Sequence, residues 1–192
     1  MMTAEAEVPT DAYVVFSAEI DPNTSELLIA TMAELANRGS RRVTLAMSTP
    51  GGVVHKGLTI YNTLRGMPFE LITHNVGNVD SIGGPVFLAG EQRYACPHAT
   101  FMFHEVAALV GEGTMLGRRM LEERTDKALA NEKRIGTIIK ERTSLSACDV
   151  DALVESAQIK DAAYAVGAGI VHEIKDIEFT PGVPVISLVF EH

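Results

Sequence analysis

The chain has no tryptophan, and its 192 residues hold only two cysteines, Cys96 and Cys148. That pair falls at no metal-like spacing, so neither a zinc module nor a disulfide scaffold is expected, and a reduced intracellular thiol pair is the simple reading. Positive charge is scarce: 16 Lys and Arg stand against 25 Asp and Glu, a net charge of −9. No basic block occurs beyond Arg41-Arg42 and Arg118-Arg119. That argues against a nucleic-acid binder, whose footprint is a basic face. No apolar run reaches the ~18 residues needed to span a bilayer. Met1 to Thr10 lack the basic start and apolar core of a signal peptide. The expectation is a cytoplasmic protein of one domain, with enough chain to bury a sizeable core.

Read in order, Met1 to Asp11 is expected to be a disordered lead, and residues 12–192 a single domain. Ala12 to Ser17 is a short apolar run that predicts a buried strand. Asp21-Pro22-Asn23-Thr24 supplies a turn and a helix cap, and Ser25 to Arg38 carries a helical apolar period ending at Gly39. Val43 to Ser48 predicts a second strand, closed by Thr49-Pro50-Gly51-Gly52. A helix over Val53 to Met67 and a third strand over Phe69 to Asn75 follow. Gln92 to Cys96 and Thr100 to Phe103 predict two further short strands. This alternation is the signature of βαβ units, so an α/β fold built on a mostly parallel sheet is expected. Thr114 to Arg142 predicts one long helix, or two with a kink. Ser146 to Ser156 predicts a short capped helix, and Lys160 to Ala168 a last one. A final strand pair is expected after Gly169, with an edge strand within Gly182 to Phe190.

The stretch Asn75 to Gly90 (N-V-G-N-V-D-S-I-G-G-P-V-F-L-A-G) sets one serine, Ser81, ahead of an apolar run with small residues. It predicts a sharp turn feeding a buried helix whose first turn carries Ser81. In a parallel α/β sheet, sites lie beyond the carboxyl ends of strands. Both Ser81 and the Gly51-Gly52 turn stand at such handovers, and His104 ends the strand-like run T-F-M-F-H. A serine at a helix start can attack an acyl carbon, with backbone N–H groups there to bind an oxyanion. A neighbouring imidazole would take its proton. Taken singly, each has a plainer reading: a serine N-cap, a glycine turn, a hydrogen-bonded structural histidine. His74 and His55 are weaker candidates still.

Together the pieces resemble a known family. S-T-P-G-G-V-V-H-K-G-L-T-I-Y-N-T-L, then G-N-V-D-S-I-G-G-P-V-F-L-A-G, then F-M-F-H-E is similar to the proteolytic subunit of the Clp protease. That family has an S-P-G-G turn, a serine in a G-x-x-x-S-M-G context and a strand ending M-I-H-Q. Order and approximate spacing agree from Ser48 to Glu105, with a weaker match to about Ile174. The resemblance implies the fold shared with the crotonase-like superfamily: a head at about 12–110 and 157–192, and a protruding long-helix handle at about 111–156. It implies an ATP-dependent peptidase family of serine endopeptidases, with Ser81 as nucleophile and His104 as general base. The N–H groups of Gly52 and Ile82 would form the oxyanion hole. It implies a homo-oligomeric ring acting on peptide or unfolded-protein substrate, with no metal or organic cofactor.

This sequence departs from the family's pattern in three places. Counting back from Gly169, the triad carboxylate falls on Ala157, so Glu155, Asp161 or neither contacts His104 and a dyad is open. Asp80 precedes Ser81 where the family has a small residue. It could raise the pKa of His104, repel an oxyanion, or turn away and cap the helix. The short lead before the first strand has no counterpart of the axial segment that meets an AAA+ unfoldase in the family, and argues against such docking. Two rival functions follow: a weak or inactive homologue serving as a structural or regulatory ring component, and an acyl-CoA enzyme of the crotonase-like group. The latter has no use for a serine nucleophile and base.

Overall fold

The computed structural model describes residues 11–107 and 115–190. The expected lead at Met1–Thr10 and the start of the handle at 111–114 lie outside the described residues. Strand β1 (Asp11–Ser17) begins at the residue assigned to that lead and alternates, burying Ala12, Val14 and Phe16. Asp21 caps α1 (Pro22–Asn37): its side chain accepts from the Thr24 N–H at 2.8 Å, and Thr24 Oγ1 accepts from the Asp21 N–H at 2.9 Å. This reciprocal capping box satisfies two donors that a helix start otherwise leaves open. Leu28, Met32 and Leu35 form its buried stripe. β2 (Arg42–Thr49) and α2 (Val54–Arg65) follow as the apolar periods predict.

β3 (Glu70–Asp80) runs well past its expected end at Asn75. The reason is tertiary. Its first part, Ile72 to Asn75, pairs with β4 (Gln92–Ala95), and its second part, Asn78 to Asp80, pairs with β5 (Thr100–Met102). The polar residues Asn75, Gly77 and Asn78 carry no strand signal, so only the second partner reveals the extension. The helix expected through Gly90 contracts to α3 (Gly83–Phe87), and Ser81 precedes it instead of occupying its first turn.

The later half contains α4 (Arg118–Arg142), one continuous helix, and α5 (Ala147–Ser156), capped by Ser146 and Asp149. The predicted helix at Lys160 splits. β6 (Ile159–Asp161) pairs antiparallel with β5, and Asp161 then caps α6 (Ala162–Gly167). β7 (Glu173–Ile174) and β8 (Val185–Ser187) do not pair with each other as expected. β7 joins β4, and β8 joins β1 at the sheet edge. The main path of the sheet runs β6-β5-β3-β2-β1-β8, and among the described residues every strand pairing but β5·β6 is parallel. Among the described residues, no helix is long and apolar enough to cross a membrane.

One guanidinium ties the two halves together. Arg93, on β4, is 5% exposed and has no carboxylate partner among the described residues. Its N–H groups donate to Gly90 O just beyond α3, Arg142 O at the end of α4, and Gly169 O and Ile170 O just beyond α6, at 2.8–3.1 Å. Helix ends leave carbonyls without partners, and the five-donor fork of arginine matches several at once. Arg142 adds bonds to Leu88 O and Gly90 O. Burial, then the neighbouring Arg142 and Arg65, pushes the Arg93 pKa down to about 10, so it remains charged at neutral pH.

Arg93→Leu should lower the free energy of unfolding by at least about 3 kcal/mol, since each buried carbonyl stripped of its donor costs roughly 1–3 kcal/mol. Arg93→Lys should recover part of that. Urea unfolding midpoints test this, and a loss below about 0.5 kcal/mol, the ordinary surface value, would refute it.

His74 is 3% exposed, and its Nε2 lies 3.0 Å from Lys175 O, an acceptor that requires the ring to carry its proton there. Burial depresses its pKa below the ordinary 6.5. The unfolded chain therefore binds a proton first as pH falls. The stabilising effect is complete above pH 6.5 and is lost as pH drops toward the folded pKa. His74→Gln should flatten the decline of stability with acid below that value, measured as the slope of unfolding free energy against pH.

Candidate active site

The geometry begins with register. Asp80 pairs with Met102, and the Ser81 N–H donates to Met102 O at 2.7 Å. His104 lies two residues further along, so pairing of β3 with β5 brings Ser81 and His104 out at the same end of the sheet. Ser81 itself has φ 55°. A non-glycine residue in this left-handed region is uncommon and turns the chain sharply. It directs the chain from β3 into α3, which packs closely: a Cβ on Gly84 would overlap the Phe103 ring.

The glycine turn closes the third side. Gly51 has φ 94°, and a Cβ there would lie 2.6 Å from Ser81 Cβ, so this turn abuts the serine. Gly52 has φ 140°, and a Cβ there would overlap the carbonyl of Ile20. The close approach is a backbone clasp: Ile20 N–H donates to Gly51 O and Val53 N–H donates to Ile20 O, both at 2.7 Å. Among the described residues the N–H groups of Gly52 and Ile82 have no hydrogen-bond acceptor.

Ser81, His104, Gly52 and Ile82 all line one cleft of about 390 Å³. Its apolar wall includes Val54, Phe103, Val106, Ile135 and Val154, and Glu19 stands in its lining as the carboxylate. No hydrogen bond joins Ser81 Oγ to His104 among the described residues. His104 Nδ1 lies 2.7 Å from the carbonyl of Glu105. A carbonyl only accepts, so Nδ1 carries the proton and Nε2 of a neutral ring is left as an acceptor.

Neither carboxylate weighed as a partner for His104, Glu155 or Asp161, lines its cleft. Asp161 Oδ1 accepts from the Tyr164 N–H at 2.8 Å as the α6 cap. Glu155 lines a separate groove between α4 and α5. Ala157, where the family's carboxylate would stand, is a left-handed helix end with φ 46°. Asp80 accepts from Asn78 Nδ2 at 2.7 Å, so it neither caps α3 nor lines the cleft. Of the weaker histidines, His74 is buried against Lys175 O and His55 lies on α2; neither lines the cleft. Sequence reasoning missed Glu105 as the imidazole's acceptor and Asn78 as Asp80's partner. The first is a backbone group, invisible in any residue pattern. The second has its other partner on β2, far along the chain.

Three comparisons bear on this arrangement. The family model described as Clp protease matches residues 3–178. A curated relative, the ATP-dependent Clp protease proteolytic subunit 1 of Corynebacterium jeikeium, is 33% identical over 101 residues, or 51% of this chain and 54% of the relative. The chain thus aligns with about half the length of that relative. A solved ClpP1 point mutant from Listeria monocytogenes matches with a TM-score of 0.77 at 22% identity, covering 86% of this chain and 91% of its own. That likeness shows a shared fold.

Gly52→Ala should destabilise the protein by about 2 kcal/mol or more, combining backbone strain with overlap on Ile20. Gly66→Ala is the control. A Cβ there meets only ordinary contacts at 3.6 and 3.8 Å, and the change should be neutral or slightly stabilising. Equal denaturant midpoints for the two variants would contradict the clasp.

Proposed function

Because the chain belongs to the Clp protease family, we propose that it is a serine peptidase cleaving peptide bonds through an acyl-enzyme on Ser81. The observation that carries this reading is the convergence of Ser81, His104, Gly52 and Ile82 on one cleft. His104 Nε2 takes the hydroxyl proton as Ser81 Oγ attacks the scissile carbonyl, the pair coming into reach on substrate binding as catalytic pairs do. The free N–H groups of Gly52 and Ile82 receive the oxyanion, a donor pair that needs no particular side chain. The imidazolium then protonates the leaving amine, and water releases the acyl group.

A dyad suffices for this scheme. In a triad, the carboxylate selects the tautomer and steadies the imidazolium, and its replacement by an amide costs about 10⁴-fold because the tautomer is wrong. Here the Glu105 carbonyl selects the right one, at 2.7 Å. Only the charge is missing, so a smaller loss is expected. The active form is a homo-oligomeric ring in the cytoplasm, with α4 and α5 as the handle. Exposed Met120, Leu121 and Leu129 on α4, at 45%, 50% and 57%, supply apolar area for subunit contacts.

A fluorophosphonate probe tests the proposal on wild type, Ser81→Ala and His104→Ala, with molar mass measured by light scattering on the same samples. Labelling should vanish in Ser81→Ala and slow by roughly 100-fold or more in His104→Ala. A folded, assembled wild type that takes no label would instead identify a structural ring component.

A further inference from the structure

The pairing of β2 with β3 slips just ahead of the site. The step from Met47 to Thr49 on β2 is matched by the longer step from Asn75 to Val79 on β3. Such bulges re-aim a strand beside functional groups. The surplus chain folds against Ser48, where a Cβ on Gly77 would lie 2.7 Å from Ser48 Oγ. Asn78 fills the slip. Its Nδ2 donates to Thr49 O at 3.1 Å and to Asp80 Oδ2 at 2.7 Å. Its Oδ1 accepts from Ser48 Oγ at 2.9 Å, and its own N–H reaches Ser48 Oγ at 3.3 Å.

The amide has one orientation that fits. Thr49 O and the Asp80 carboxylate only accept, so the NH₂ must face them, and Ser48 must donate to Oδ1. Thr49 lies three residues before Gly52, and its Oγ1 accepts the Gly51 N–H at 3.1 Å. Asp80 directly precedes Ser81. One side chain therefore grips both the strand end that delivers the glycine turn and the strand end that delivers the serine.

We infer that Asn78 is a positioning residue, fixing the Gly52 N–H relative to Ser81 through Thr49 O and the Asp80 carboxylate. This rests on the peptidase reading. It assigns Asp80 a task, since a small residue there would leave Nδ2 with one acceptor. Asn78 itself does not line the cleft, so it acts on the reaction only through the two strand ends.

The test pairs hydrogen exchange with labelling kinetics on the full chain. Asn78→Asp keeps the shape of the side chain and removes both donors, setting acceptor against acceptor. It should raise amide exchange together at residues 49–53 and 80–82 while β1 stays protected. The limiting rate of phosphonate labelling should fall roughly 10- to 100-fold, the scale of a small misplacement of reacting groups. The half-saturating probe concentration should change little. Asp80→Ala should slow labelling likewise, and Asp80→Asn, which still offers an acceptor, should recover most of that loss. Unchanged exchange at both segments would overturn the inference, as would raised exchange with unaltered labelling kinetics. Raised exchange at both segments in a protein whose wild type takes no label would sink the peptidase reading and leave the coupling of the two turns standing.

Discussion

The architecture depends on a buried cation that has no anion beside it among the described residues. Arg93 is held by the carbonyl oxygens at the ends of α3, α4 and α6. Of those carbonyls only Gly90 O has, among the described residues, a second side-chain donor, Arg142, and the buried charge of Arg93 would be costly without them. The arrangement is directional where hydrophobic contact is not: a planar fork meets several acceptors only when the three helix ends arrive in one geometry. It fixes the far end of α3, the helix that opens just after Ser81, and binds it to the long α4. Two guanidiniums, Arg93 and Arg142, thus tie the far end of α3 to the later half of the chain.

At the other end of α3 the constraint is pairing. β3 is shared lengthwise, first with β4 and then with β5, so the strand that delivers Ser81 lies against the strand that delivers His104. The Gly51-Gly52 turn is clasped to Ile20 from a third strand exit. Strand ends of a parallel sheet converge on one edge, which is why residues far apart in sequence meet there. The backbone also shapes the cleft: among the described residues the N–H groups of Gly52 and Ile82 have no acceptor, and the Glu105 carbonyl sets the imidazole tautomer.

Ala157 and Asp80, two positions where the sequence departs from the resembled pattern, have different physical consequences. Ala157 ends a helix in the left-handed region and offers His104 nothing. Asp80 is taken up by Asn78 and directed into the seam between β2 and β3. Its charge therefore serves the strand seam, and Asp80 does not line the cleft.

By itself the sequence determined the α/β class, the capped helices α1 and α5, and the motifs around Gly52, Ser81 and His104. These are local: apolar period, capping residues and short glycine-containing stretches act within a few residues and survive without tertiary context. The tertiary structure alone decided the extension of β3, the shortening of α3, the separation of β7 from β8 and the placing of Ser81 in a left-handed turn ahead of its helix. It also decided the partners of Asp80 and Asp161. The partners of Arg93 and His104 are backbone carbonyls, and Asn78 joins its strand neighbour Asp80 to Ser48 and Thr49 O on β2. Hydrogen-bond acceptance by a carbonyl depends on where the chain folds, because every residue carries one.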